Sequence, residues 1–231
     1  MRFQDAARDA RAVVYAGIQA DPLVARVAAL LENATSAERL MARAAMNGER
    51  TDPDTWRRIF PALFGDRPGD GDRPGDERRR HAELVLAASL EVAERGEAAR
   101  SQYRGAVVEE LTARLLARRA ALDATVRRER RVLFDGVRAE IHPYDVTVES
   151  AERPEVYDCK WGARGINADV LNQLDDAREH AADEDVDLRA AIVVFDGRRT
   201  CELRLARATA KHDRTRLVAL ESLDELREAK N

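Results

Sequence analysis

The sequence predicts an α/β protein: a helical N-terminal region, then a layered domain around a mixed central sheet. Three observations predict it. Apolar residues recur at helical spacing in residues 1–64 and again in residues 77–122. Short alternating segments follow between residues 131 and 161. A further helical stretch, residues 168–182, precedes the apolar run 188–195. Helix, three-strand meander, helix and strand in that order make an α/β sandwich.

Composition agrees. The chain has 231 residues, 45% hydrophobic and 35% charged. That is enough for one domain of ordinary size plus a smaller one, and it excludes global disorder. Abundant alanine and arginine with only 5% aromatics favour helices over an all-β fold. The net charge of -4 decides nothing about nucleic acid, because local clusters matter more than the sum. Two cysteines, Cys159 and Cys201, do not make a disulfide framework, which fits a reducing cytoplasm. The first residues, MRFQDAARDARAVVYAG, carry acids and lack the apolar run of a signal peptide. No segment approaches the roughly 20 apolar residues that span a bilayer.

Within residues 1–64, Leu23, Val27, Leu30 and Leu31 form one apolar face behind the helix start Asp21-Pro22. A second short helix is expected after Asp52-Pro53, with Trp56, Ile59, Phe60 and Leu63 inward. This region carries no period-2 strand signal. Residues 65–76 read GDRPGDGDRPGD, a repeat of Gly, Pro and Asp that predicts a linker or exposed loop. The expected organisation is therefore a helical region at 1–64, a linker or loop at 65–76, and a second domain at 77–231. In that domain, Gly96 and Gly105 are possible interruptions of the 77–122 helical pattern. Strands are expected at Arg131 to Ile141, Tyr144 to Val148 and Val156 to Trp161, with turns at Asp135-Gly136 and Ala151 to Pro154. Asn167 caps the 168–182 helix. Leu188 to Phe195 suits a buried strand. Thr200 to Leu205 is expected as a further strand and Ser222 to Lys230 as a terminal helix.

Three segments carry chemistry: residues 142–148, residues 156–161 and the helix 105–118. Asp145 begins a strand. Asp158 and Lys160, two apart on the next strand, project to one face. The intervening turn folds the second strand back beside the first, so the two carboxylates and the ammonium converge. Repulsion between the acids is relieved by a divalent cation, and Mg2+ suits one or two carboxylates with several waters. A lysine beside such a cation orients an attacking water or neutralises charge developing on a phosphate.

These residues resemble the PD-(D/E)XK nuclease superfamily. Asp145 matches its strand aspartate, and Asp158-Cys159-Lys160 matches its (D/E)-x-K tripeptide. The proline that usually precedes the aspartate stands one residue earlier, at Pro143, with Tyr144 between. The resemblance covers roughly residues 101–200 and implies a restriction-endonuclease-like core. It implies metal ligation by Asp145, Asp158 and the Cys159 carbonyl, with Lys160 positioning the water. It also implies a glutamate on the preceding helix. Glu109 and Glu110 are the candidates. A helical wheel sets Glu109 at the edge of the Val108, Leu111 and Leu115 face and Glu110 away from it, so Glu109 is preferred. The family's exonuclease-like branch implies a supporting role for Gln173, which shares a face with Val170, Leu174 and Ala177.

Other residues read more plainly. Cys159 faces the opposite side of its strand as a packing residue. His142 reads as a hairpin histidine before it reads as a base. His81, His180 and His212 lack metal-ligand spacing. Trp161 reads as packing, or as a platform on which a base stacks. The cluster Arg127, Arg128, Arg130 and Arg131, with Arg164, Arg198, Arg199, Lys211 and Arg214, offers phosphate contacts or else a salt-bridged surface.

The expected function is a nuclease using Mg2+ or Mn2+, endo- or exo-acting, on DNA in preference to RNA. An effector nuclease of a prokaryotic defence or mobile-element system is a more specific form, with the N-terminal helices binding a partner or a second copy. The alternative is a non-catalytic nucleic-acid-binding or scaffolding protein on the same fold.

Overall fold

The computed structural model describes residues 1–6, 10–65, 74–120, 123–138, 142–208 and 215–228. The chain divides into two compact units. One is Val14–Leu111; the other joins Met1–Val13 to Thr112–Asn231.

The helical unit contains α1 (Ala10–Gln19, from Val14 onward), α2 (Pro22–Glu32), α3 (Ser36–Asn47), α4 (Pro53–Ile59), α5 (Pro61–Phe64), α6 (Pro74–Ala93) and α7 (Glu97–Ala117) up to Leu111. Local chemistry sets these starts. Asp21 accepts from the Leu23 amide ahead of Pro22, and Asp52 accepts from Asp54 and Thr55 ahead of Pro53. Thr35 and Glu38 form a reciprocal capping box at α3. Thr35→Ala is expected to lower the unfolding free energy by about 1 kcal/mol in urea titration. The predicted face of α2 is buried at Leu23, Val27 and Leu31.

The second predicted face needs correction. Trp56 is buried, with its indole N–H donating to the Arg50 carbonyl at 2.9 Å, but Ile59 is 55% exposed. Pro61 cannot continue α4, so the helical phase restarts there and Phe64 is buried instead.

The expected boundaries also differ from the observed ones. Residues 66–73 of the repeat lie outside the described residues. α6 begins at Pro74, inside the span expected as linker, because proline suits a first turn. α6 packs on α2 and α3, burying Ala82, Val85 and Leu86, so it belongs with the N-terminal helices and not with a domain starting at residue 77. Gly96 does mark a break, between α6 and α7, whereas Gly105 lies inside α7.

The sheet unit is built on β1 (Arg2–Asp5), β2 (Thr125–Phe134), β3 (Val137–Arg138), β4 (Tyr144–Glu149), β5 (Glu155–Lys160), β6 (Arg189–Val194) and β7 (Arg216–Ala219). The order is β1-β2-β4-β5-β6-β7, with β3 paired to β2 as a hairpin. Strands β1, β2, β4 and β5 pair antiparallel, while β5-β6 and β6-β7 are parallel, so the sheet is mixed. Helices α8 (Ala168–Asp183) and α9 (Arg198–Ala208) make the two crossovers that parallel pairing requires. Asp135 and Gly136 both have positive φ, 47° and 79°, as a two-residue hairpin turn demands. The core packs Val132, Phe134, Tyr144, Val156, Ile192 and Val194 of the sheet against Leu171, Leu174, Cys201 and Leu205 of the helices.

Three expectations fail in this unit. β1 was not foreseen: RFQD has a single apolar residue, and as an edge strand it is held by pairing with β2. The segment expected as a strand at Thr200 to Leu205 lies within α9. Cys201 and Leu205 are both buried and stand four apart, so their spacing is helical, and Leu203 between them is 54% exposed. The expected terminal helix is a 3₁₀ segment, Leu220–Leu226. Among the described residues, no single helix is long and apolar enough to cross a membrane.

Candidate active site

The ladder between β4 and β5 pairs Val148 with Glu155, Thr147 with Val156 and Val146 with Tyr157, and stops there. The next residues on the two strands are Asp145 and Asp158. In place of a further backbone bond, the Cys159 amide donates to Asp145 Oδ2 at 2.6 Å. A side chain thus satisfies the main chain where the strands part.

Lys160 reaches into the same place. Its Nζ pairs with Asp158 Oδ1 and lies 3.7 Å from Asp145 Oδ2. Asp158 is 5% exposed, and the side chains of Lys160 and Asp145 are 26% and 18% exposed. The three residues singled out in the sequence are therefore brought together. Burial alone pushes the Lys160 ammonium toward neutrality, but the facing charges of Asp145 and Asp158 outweigh it and hold its pKa above the usual lysine range. Lys160 is a cation here, suited to neutralising charge and not to accepting a proton.

A third acid comes from β2. Arg128 pairs with Val146 and Arg130 with Tyr144, so Glu129 stands opposite Asp145. Carboxylate oxygens of Glu129 and Asp145 come within 4.8 Å of each other, and Glu129 carries a positive φ of 54°. Periodicity and spacing assign Glu129 no role in the sequence. Its signal was there: one acid in the middle of Arg127-Arg128-Glu129-Arg130-Arg131.

The other candidates fall out as follows. Glu109 belongs to the helical unit, where it is buried and accepts from Tyr15 Oη at 2.5 Å and Gln19 Nε2 at 2.7 Å. Its neighbour Glu110 is more exposed, in line with the helical wheel. Gln173 is buried on α8, and its carboxamide clasps the His142 main chain, accepting from the amide at 3.1 Å and donating to the carbonyl at 3.0 Å. It fixes the segment that delivers Asp145. The His142 ring is on an exposed residue.

Cys159 is buried, with Sγ 3.6 Å from Thr112 Oγ1, and serves packing. Its carbonyl lies on the same edge of β5 as its amide, toward Asp145. Trp161 stacks on Phe195 at 5.1 Å between ring centroids, and His180 stacks on Phe134. His81 meets Glu38 in the helical unit. Lys211, His212 and Arg214 lie outside the described residues. In the basic cluster, Arg130 pairs with Asp5 and Glu149, so at this position the salt-bridged reading holds.

No family model, curated protein or solved structure matches this chain. Asp145 and Glu129 offer carboxylate oxygens within 4.8 Å of each other, hard donors suited to Mg2+ or Mn2+ and unsuited to soft metals. Composition adds one point. The chain has 39 lysines and arginines, and only residues 160, 211 and 230 are lysine. A protein that uses arginine almost everywhere keeps a compact ammonium at position 160, where a planar guanidinium would not fill the same role.

Proposed function

We propose that the sheet unit is a divalent-cation-dependent phosphodiesterase that hydrolyses nucleic acid, DNA in preference to RNA, on a restriction-endonuclease-like core. One observation carries the reading: Lys160 meets both Asp158 and Asp145 where the β4-β5 ladder opens. Two strands supply these groups, Asp145 from β4 and Asp158 and Lys160 from β5.

Asp145 and Asp158 would hold Mg2+ or Mn2+, with Glu129 and the Cys159 carbonyl as further oxygens. The bound cation supplies Lewis acidity toward a phosphate oxygen. The Asp145 carboxylate is fixed by the Cys159 amide, so it does not reorient when a ligand arrives. Lys160 holds its proton, orients a water by donating to it, and faces the negative charge that grows on the phosphate. Gln173 keeps the 142–144 segment in place and so acts through Asp145. Glu109, the helix acid implied by family resemblance, is buried in the helical unit.

A second reading has its own support. Lys160 already pairs with both aspartates and offsets one of their two charges, as it would in a binding or scaffolding protein that never takes up an ion. The test is a cleavage panel with Mg2+ or Mn2+ on single-stranded, double-stranded and circular DNA and on RNA, beside calorimetry of each cation. Cation binding with DNA cleavage is expected. Absence of both would reject the catalytic reading in favour of the second.

A further inference from the structure

Lys160 ends β5, and the chain turns through Trp161 and Gly162 into a 3₁₀ turn at Ala163–Gly165. This turn is pinned at both ends. Asp196, just beyond β6, accepts from the Ala163 amide at 3.1 Å. Arg204 on α9 donates through Nε to the Ile166 carbonyl at 3.0 Å. The Lys160 backbone is pinned too, its carbonyl accepting from the Phe195 amide at 2.9 Å.

Between these fixed points there is no room for a side chain at residue 165. A Cβ there would lie 2.9, 2.8 and 2.8 Å from Cβ, Cγ and Cδ of Lys160. Carbon atoms in good contact stand about 3.5–4.0 Å apart. The crowded atoms are the stem of the lysine, and its Cβ is set by the strand backbone. Backbone conformation does not ask for glycine here: among the described residues, Gly136 is the glycine with positive φ. The lysine stem does.

We propose that Gly165 is a positioning residue that walls the lysine stem and aims the Lys160 ammonium at Asp145 and Asp158. Its catalytic consequence rests on the phosphodiesterase reading; its structural consequence does not. In Gly165→Ala the stem is pushed aside and the ammonium leaves the two carboxylates. With only three lysines, selective 15N-lysine labelling gives a spectrum in which residue 160 is assigned by comparison with Lys160→Ala.

The experiment uses full-length protein. In Gly165→Ala the Lys160 signal should move, and kcat for DNA cleavage should fall on the order of 10²-fold, the usual consequence of a misplaced group. KM should stay within about threefold and Mn2+ binding should not weaken, because the acids remain. A double-mutant cycle provides the readout that a general folding role would not move. Lys160→Ala removes Cγ and Cδ, so Gly165→Ala should lower Tm less in that background than in the wild type. If Gly165→Ala alone does not fold, recovery of folding in the Lys160→Ala background supports the proposal, and no recovery overturns it. An unmoved lysine signal, or equal Tm losses in both backgrounds, also overturns it. A displaced lysine in a protein whose wild type cleaves nothing supports the positioning role and sinks the phosphodiesterase reading.

Discussion

Lys160→Met is expected to abolish divalent-dependent DNA cleavage and, at the same time, to make folding depend on the divalent ion. The two effects have one cause. Lys160 is the cation facing Asp145 and Asp158, and these carboxylates are largely buried. Removing it without removing them leaves like charges side by side in a poorly solvated place. Breaking a fully buried ion pair costs about 3–5 kcal/mol. Partial exposure of Asp145 and Lys160 reduces this to roughly 2–3 kcal/mol. A cation that binds only the folded state restores about 2.7 kcal/mol at 100 times its Kd.

In urea titration the variant should therefore be clearly weaker than wild type without added ion and near it at saturating Mg2+. Activity should not return with stability. Loss of one preorganised group that faces transition-state charge costs on the order of 10²–10³-fold in kcat, and the ion does not replace that group. Asp158→Ala should differ in a telling way: cleavage is lost, but Mg2+ no longer rescues stability because a ligand has gone. A Lys160→Met protein that cleaves at the wild-type rate would remove Lys160 from the mechanism.

The site's legibility in sequence was uneven for physical reasons. Asp158 and Lys160 lie two apart on one strand, and strand periodicity alone sets them on one face. Asp145 needed only a short turn between adjacent antiparallel strands, so its proximity also followed from local chemistry. Glu129 did not follow. Its place depends on β2-β4 register across a longer stretch of sequence and on a positive φ that residue type does not announce. Gly165 is the opposite case: its neighbourhood is local, but what matters is the missing Cβ, which periodicity cannot register.

The fold shows the same division. Caps at Asp21, Asp52 and Asn167 and the Asp135-Gly136 turn were readable because each acts within a few residues. β1 was not, since an edge strand of four mostly polar residues exists only through its partner. Nor was the grouping of α6 with the N-terminal helices, which is decided by packing across the repeat and not by the repeat's composition.

Arg119→Met should cost stability and leave the chemistry alone, because the group it disturbs anchors the other end of β5. Arg119 donates to both carboxylate oxygens of Glu155, to Tyr157 Oη at 3.0 Å and to the Leu226 carbonyl at 2.8 Å, and the Tyr157 hydroxyl donates to Glu155 in turn. Glu155 is 2% exposed. Burial pushes its pKa up, but the Arg119 guanidinium and the Tyr157 hydroxyl outweigh that and hold it below the ordinary glutamate value. A folded-state pKa that is depressed contributes stability present above the unfolded pKa, about 4.3, and lost as pH falls through the lower folded value. In Arg119→Met the burial of Glu155 is opposed chiefly by the Tyr157 hydroxyl, so its pKa rises and the charged form becomes costlier. At neutral pH the variant should be about 3–5 kcal/mol less stable than wild type. As pH drops toward and below about 4.3 the variant gains a proton that relieves it while the wild type begins to lose its ion pair, so the difference should shrink. Urea titrations at neutral and mildly acidic pH measure this directly, and a gap that stays constant would show that Glu155 is not the titrating group. Below its melting temperature the variant should keep wild-type kcat with Mn2+, since Lys160, Asp145 and Asp158 make no bond with Arg119 among those described here. One strand then carries two separable clusters: its first residue is anchored by Arg119, and its last meets Asp145 and Asp158.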